Sequence, residues 1–205
     1  MIYEFRTYRL KVGSLAEVEK RFAEAYTHRK KYSELAAFWH TEIGPLNQIV
    51  HVWPYATMDE RLRIRGEAAK DPNWPPKIQE FILGMTSEIV IPFPFSPAIK
   101  PGKYGPFYEM RSYLVRAGQM GEVQKRWEPK VPERAKLSPL LIVGQVELGT
   151  VSKYIHVWPY PSLDQRGAIR SKAVEIGVWP PGGGAETLAE QENKILVPSA
   201  FSPVQ

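Results

Sequence analysis

The stretch "VHVWPY" at 50–55 returns as "IHVWPY" at 155–160, five identical residues in a row at an offset of 105. The correspondence extends outward in both directions at the same offset. "YEFRTY" at 3–8 meets "YEMRSY" at 108–113, Gly13 meets Gly118, and "KRF" at 20–22 meets "KRW" at 125–127. Asp59, Arg61 and Arg65 meet Asp164, Arg166 and Arg170, and "WPP" at 74–76 meets "WPP" at 179–181. One inserted residue later, "IPFPFSP" at 91–97 meets "VPSAFSP" at 197–203. Self-similarity at a fixed period marks tandem copies of one structural unit. The chain reads as repeats 1–97 and 107–205, joined by a Pro/Gly-punctuated linker at 98–106.

Within a repeat the periodicities are readable. Residues 2–10 alternate as a strand, with Tyr3 and Phe5 on one face and Glu4, Arg6 and Tyr8 on the other. Ser14, with Glu17 three residues on, predicts a capping box that opens a helix over about 15–30. Strands at 35–43 and 48–54 flank the turn "GPLN". Thr57 or Asp59 opens a second helix, which the Pro-rich stretch at 72–76 interrupts; the pattern predicts helix again at 77–86 and a last strand at 88–93. The order βαββαβ is ferredoxin-like. Such a sheet covers one face with helices and leaves the other bare. The expected fold is therefore α+β: two ferredoxin-like repeats fused in one chain, burying their bare faces against each other as an intrachain pseudo-dimeric α/β barrel. If the Tyr3/Phe5 face meets the helices, the polar face lines the barrel interior or solvent. A Glu4–Arg6 pair there would fix how the two sheets dock, or line a polar pocket with aromatic walls.

Composition removes several function classes. There is no cysteine, which excludes disulfide frameworks, thiolate metal sites and Cys nucleophiles. The net charge of +5 is interleaved with acids, as in "EVEKRFAEAYTHRKK" at 17–31, and reads as solvated helix surface rather than a nucleic-acid-binding stripe. No apolar run approaches the ~18 residues of a membrane span. Glu4, Arg6 and Arg9 break any signal-peptide pattern. A cytoplasmic protein with no nucleic-acid or membrane partner is expected, and association into a homo-oligomer is left open. "PGGGAE" at 181–186 follows Trp-Pro-Pro rather than a strand and replaces "PKIQEF" at 76–81, so it reads as a loosened helix start and not a phosphate loop.

A four-residue turn at 44–47 would pair Thr41 with Val50 and set His40 opposite His51, so that Glu42, His40, His51 and Trp53 share one face. Two imidazoles and a carboxylate can serve as general acid and base, and they also have the composition of a 2-His-1-carboxylate metal site. The candidate catalytic residues are His51, His40, Glu42 and Arg6; the candidate substrate-binding residues are Tyr8, Phe38, Trp39, Asn47 and Trp53. No metal or cofactor is assigned, although His51 or His156 could be an axial haem ligand by analogy with other barrels of this class.

"FWHTEIGPLNQIVHVWPY" at 38–55, the opening "YEFRTY", "MDERLRIRGEAAKDPNW" at 58–74 and "IPFPFSP" resemble the NIPSNAP family, in both halves of the chain. The resemblance implies a dimeric α/β barrel, usually assembled from two single-domain chains, and little chemistry, since the family has no agreed catalytic residues. The second half, "IVGQVELGTVSKYIHVWPY" at 142–160, departs from the pattern: Gly144, Gln145 and Ser152 stand where the first has Trp39, His40 and Asn47, while the acid persists as Glu147. A site is therefore expected in the first half, the repeated "HVWPY" being scaffold. Three functions fit: a small cofactor-independent enzyme acting on an apolar or aromatic small molecule, a non-catalytic ligand-binding or scaffolding protein, or a haem- or metal-binding barrel.

Overall fold

A computed structural model describes residues 1–205. The first repeat comprises β1 (Ile2–Leu10), α1 (Leu15–Arg29), β2 (Ala37–Ile43), β3 (Gln48–Tyr55), α2 (Met58–Ala68) and β4 (Ile82–Pro92). The second comprises β5 (Phe107–Val115), α3 (Met120–Trp127), α4 (Val131–Ala135), β6 (Ile142–Leu148), β7 (Lys153–Tyr160), α5 (Leu163–Glu175), α6 (Gly184–Thr187) and β8 (Leu188–Pro198). Each half is an antiparallel sheet, ordered β4-β1-β3-β2 and β8-β5-β7-β6. The seams β2–β8 and β4–β6 close all eight strands into one barrel. Pairing the outer strands of each sheet across the seams satisfies backbone groups that a lone four-stranded unit would leave open.

Thr57 caps α2 as its sequence indicates, its hydroxyl accepting from the Glu60 N–H at 3.1 Å. Two other local expectations are overturned. Ser14 stands at the start of α1, but its hydroxyl donates to the Lys11 carbonyl and Glu17 pairs with Arg21, so no capping box forms. Nor does helix resume at 77–86. A single 3-10 turn at Gln79–Phe81 leads into β4, which runs from Ile82 because β1 offers it a ladder as far as Leu10. In the second repeat the first helix is split into α3 and α4 around Pro129, which has no N–H to continue the helix.

The two sheet faces are the reverse of the arrangement in which Tyr3 and Phe5 meet the helices. Both point into the barrel, where they pack with Trp39, Val52, Tyr108, Met110, Val157 and Leu196 in a cluster drawn from both halves. That shared interior makes the two repeats one body, since fully burying a side chain such as Phe5 contributes about 1.5–3 kcal/mol. The face carrying Glu4, Arg6, Tyr8, His51 and Trp53 lies under the helices. Helix α2 accommodates it with an unusual inner stripe: Arg61, Ile64, Arg65 and Ala68, at i, i+3, i+4 and i+7, of which Ile64 and Ala68 are buried and both arginines reach Glu4. The Glu4–Arg6 pair thus ties a sheet to its own helix and does not dock one sheet on the other. No helix is long and apolar enough to cross a membrane.

Candidate functional site

Alternation along β1 places Glu4 and Arg6 side by side beneath α2, and Glu4 is wholly buried. Its Oε1 accepts from Arg6 Nη1, Arg61 Nη2 and Ser87 Oγ, each at 2.7 Å, and Arg65 Nη1 lies 3.5 Å from Oε2. Burial by itself would raise the Glu4 carboxyl, but the hydrogen bond from Arg61, the charge of Arg65 and the hydrogen bonds from Ser87 and Arg6 hold it at about 2. A fourth guanidinium, Arg29 on α1, is 2% exposed, lies over the Trp53 ring at 4.4 Å and donates to Tyr55 Oη at 3.2 Å. Three guanidinium groups therefore converge on one carboxylate and a fourth, Arg29, lies in the same layer over Trp53, leaving a surplus of positive charge that is buried except at Arg65.

Across β1 from Arg6 is His51. It is 2% exposed, with the Tyr8, Phe22 and Phe38 rings at 4.9, 5.0 and 5.7 Å. Trp53 Nε1–H donates to its Nδ1 at 2.7 Å, so the neutral ring carries its proton on Nε2, which has no partner. Burial, and then the charge of Arg6, push the His51 pKa well below the ordinary 6.5. The ring is a neutral hydrogen-bond donor. Acting as a base, or ligating a metal or haem iron, through Nε2 would require the proton on Nδ1, directly facing the Trp53 N–H; the arrangement does not fit those roles.

Arg6, Tyr8, Arg29, His51, Trp53 and Arg65 share the wall of a cavity of about 270 Å³ between sheet and helices, which Trp74, Ile78 and Met85 also line. Of the residues singled out from sequence, His51, Arg6, Tyr8 and Trp53 meet there. The others do not. The β2–β3 ladder pairs Trp39 with Val50 and Phe38 with His51, two residues away from the register that a turn at 44–47 implies. That ladder ends at the His40–Ile49 pair, so the connection between the strands is longer than a four-residue turn. Phe38 consequently stacks behind His51 without reaching the cavity. Trp39 points into the barrel, with its ring 5.3 Å from Tyr108. Glu42 is exposed. Asn47 adopts a left-handed φ of 54° in the turn, and Ser152 does the same at 53°, so this position shapes a hairpin in both halves.

His40 bonds away from the cavity, to Glu19 on α1 at 2.8 Å. That hydrogen bond raises its pKa against the opposing effect of burial. The second repeat replaces both partners together, with Gln124 donating to Gln145 at 3.3 Å. The exchange of His40 for Gln145 is half of a paired substitution in a helix–strand tie. His40, His51 and Glu42 are not gathered into a metal-binding cluster.

Sequence reasoning missed Arg29, Arg61 and Arg65 as site residues. The signal was present, because each recurs at the same offset. Arg111, Arg166 and Arg170 pair with Glu109 as their counterparts do with Glu4, and Arg134 donates to Tyr160 Oη as Arg29 does to Tyr55. Trp158 Nε1–H likewise donates to His156 Nδ1 at 2.8 Å.

Fold and site together define a class: a ferredoxin-like α/β barrel made from two fused units, with a pocket under the helices. The NIPSNAP family pattern matches residues 3–97 and again 108–203, and the chain belongs to that family. Protein NipSnap homolog 3A of Homo sapiens is 28% identical over 217 residues, spanning 100% of this chain and 86% of that protein. A NIPSNAP family protein of Agrobacterium tumefaciens is 38% identical and aligns with 47% of this chain and 92% of its own, with a TM-score of 0.46. An anthrone oxidase-like protein superposes on 98% of this chain and 93% of its own with a TM-score of 0.63; at 10% identity it bears on the fold alone.

Proposed function

We propose that the first-repeat cavity binds a small planar acid, an apolar or aromatic body carrying one anionic oxygen group. The observation that carries this reading is the surplus of guanidinium around Glu4, with Arg6, Arg29 and Arg65 on the cavity wall. Arginine in a partly dry site recognises carboxylates by charge and by paired N–H donors. Trp53, Trp74 and Tyr8 supply flat apolar walls, and the unpartnered His51 Nε2–H is a donor for a second oxygen of the ligand. Titration calorimetry with benzoate and its uncharged isostere benzamide tests the reading. Benzoate is expected to bind at least about tenfold more tightly, with the advantage reduced in Arg65→Met and at high salt. Equal affinities, or no binding of either probe, would overturn it.

Turnover is a second reading, favoured by the His51 tautomer. A neutral imidazole donor stabilises an enolate-type oxyanion without itself removing the proton, which passes to hydroxide or a buffer base from solvent. Phenylpyruvate, an enolisable aromatic acid, is the probe: exchange of its methylene protons in deuterium oxide should be faster with the wild type than with His51→Gln. Identical exchange rates would leave a ligand-binding protein.

A further inference from the structure

The second repeat holds a cavity of about 790 Å³ in the corresponding place, and its wall chemistry is different. Tyr113, Trp127, His156 and Trp179 line it where the first repeat has Tyr8, Phe22, His51 and Trp74. Arg111, Arg134 and Arg170 are not on its wall, although their counterparts Arg6, Arg29 and Arg65 line the smaller cavity. Trp127 in place of Phe22 brings its ring within 4.6 Å of Trp179, against 5.5 Å for Phe22 and Trp74. The charges that do face the cavity are spoken for or acidic. Arg126 is bonded to Glu122 and Glu186, and Glu190 stands exposed and unpaired.

The extra volume has a visible source. Lys77, Ile78 and Gln79, whose Ile78 is 2% exposed and plugs the first cavity, give way to Gly182, Gly183, Gly184 and Ala185, and Thr187 replaces Phe81. A Cβ on Gly184 would meet only Leu188 Cδ1, at 3.8 Å, so open space lies where a side chain could stand. His156 is 2% exposed, its Nε2 has no partner, and it faces this space.

We infer that the repeats have diverged into two sites of opposite preference, and that the second takes an uncharged aromatic molecule, larger than the first admits, bearing one hydrogen-bond acceptor for His156 Nε2–H. The two cavities are separate, so this site stands or falls independently of anion binding at Arg65. The probe is 1-naphthol, followed by fluorine NMR of 5-fluorotryptophan-labelled full chain. Saturable shifts are expected at Trp127 and Trp179, unaffected by excess benzoate, with 1-naphthoate at least about tenfold weaker than 1-naphthol at these two signals. Gly184→Leu, which restores bulk at a position with ordinary φ, should abolish the shifts while the Trp53 and Trp74 signals stay in place, showing the fold intact. Shifts confined to Trp53 and Trp74, no saturable shift at all, or a preference for naphthoate at Trp127 would overturn the inference. If Gly184→Leu does not fold, the wild-type pattern of shifts still decides.

Discussion

Replacing Glu4 by Gln removes the single negative charge from a layer that holds Arg6, Arg29, Arg61 and Arg65. Two lines of reasoning give its cost. A carboxyl held at about 2 rather than its ordinary 4.5 contributes on the order of 3 kcal/mol at neutral pH by linkage. Breaking a buried ion pair at one partner costs about 3–5 kcal/mol, because the opposite charges stay buried and uncompensated. The sign follows from the depressed pKa: the contribution is complete above pH 4.5 and is lost as the pH falls from there toward 2. Thermal and urea unfolding of wild type and Glu4→Gln at several pH values measures it. The variant should melt about 6–20 °C lower at pH 7, with the difference shrinking steadily below pH 4.5. Benzoate should bind the variant more tightly than wild type, since it restores the missing negative charge. A loss under about 1 kcal/mol, or one that does not change with pH, would refute a buried and desolvated cluster.

Other substitutions probe the parts around it. Glu19→Gln should cost about 1.5–3 kcal/mol near pH 6. Its cost should fall as the pH rises through the raised pKa of His40, where the imidazolium is lost. Adding His40→Gln should recover much of it by copying Gln124 and Gln145, as a double-mutant cycle by chemical unfolding would record. Trp39→Ala should destabilise by about 3–5 kcal/mol through the cavity it leaves in the barrel, without altering benzoate affinity in the folded protein. Gly144→Ala puts a Cβ 2.5 Å from the Ile91 carbonyl at the β4–β6 seam and should cost at least about 1–3 kcal/mol in unfolding free energy.

How much of this was legible depended on what kind of signal carried it. The repeat offset fixed two like units, and strand and turn patterns placed most elements. The direction of the faces was not legible. Both faces of this sheet are covered, and the usual guide, apolar residues toward helices, fails where α2 presents Arg61 and Arg65 inward. For the same reason α2 shows no apolar stripe that would have announced its inner side. The β2–β3 register was not legible because the length of the connection between His40 and Ile49 has no distinctive sequence, and a shift of two residues kept the faces right while moving His40 off His51. Trp39 was grouped with Trp53 by neighbourhood in the chain, yet alternation sends it to the opposite face. Arg29 pairs with no acid nearby in sequence, and only the packing of α1 over Trp53 gives it a place at the site.

The central claim is that His51 is a neutral Nε2–H donor facing an anion-binding cavity. Nitrogen-15 NMR of the imidazole side chains from pH 5 to 9, with His51 identified by its loss in His51→Asn, tests it most directly. The account predicts a protonated Nε2 and an unprotonated Nδ1 throughout, no titration in that range, and a shifted Hε2 resonance on adding benzoate. A His51 that titrates near 6.5, carries its proton on Nδ1, or ignores saturating benzoate would contradict it.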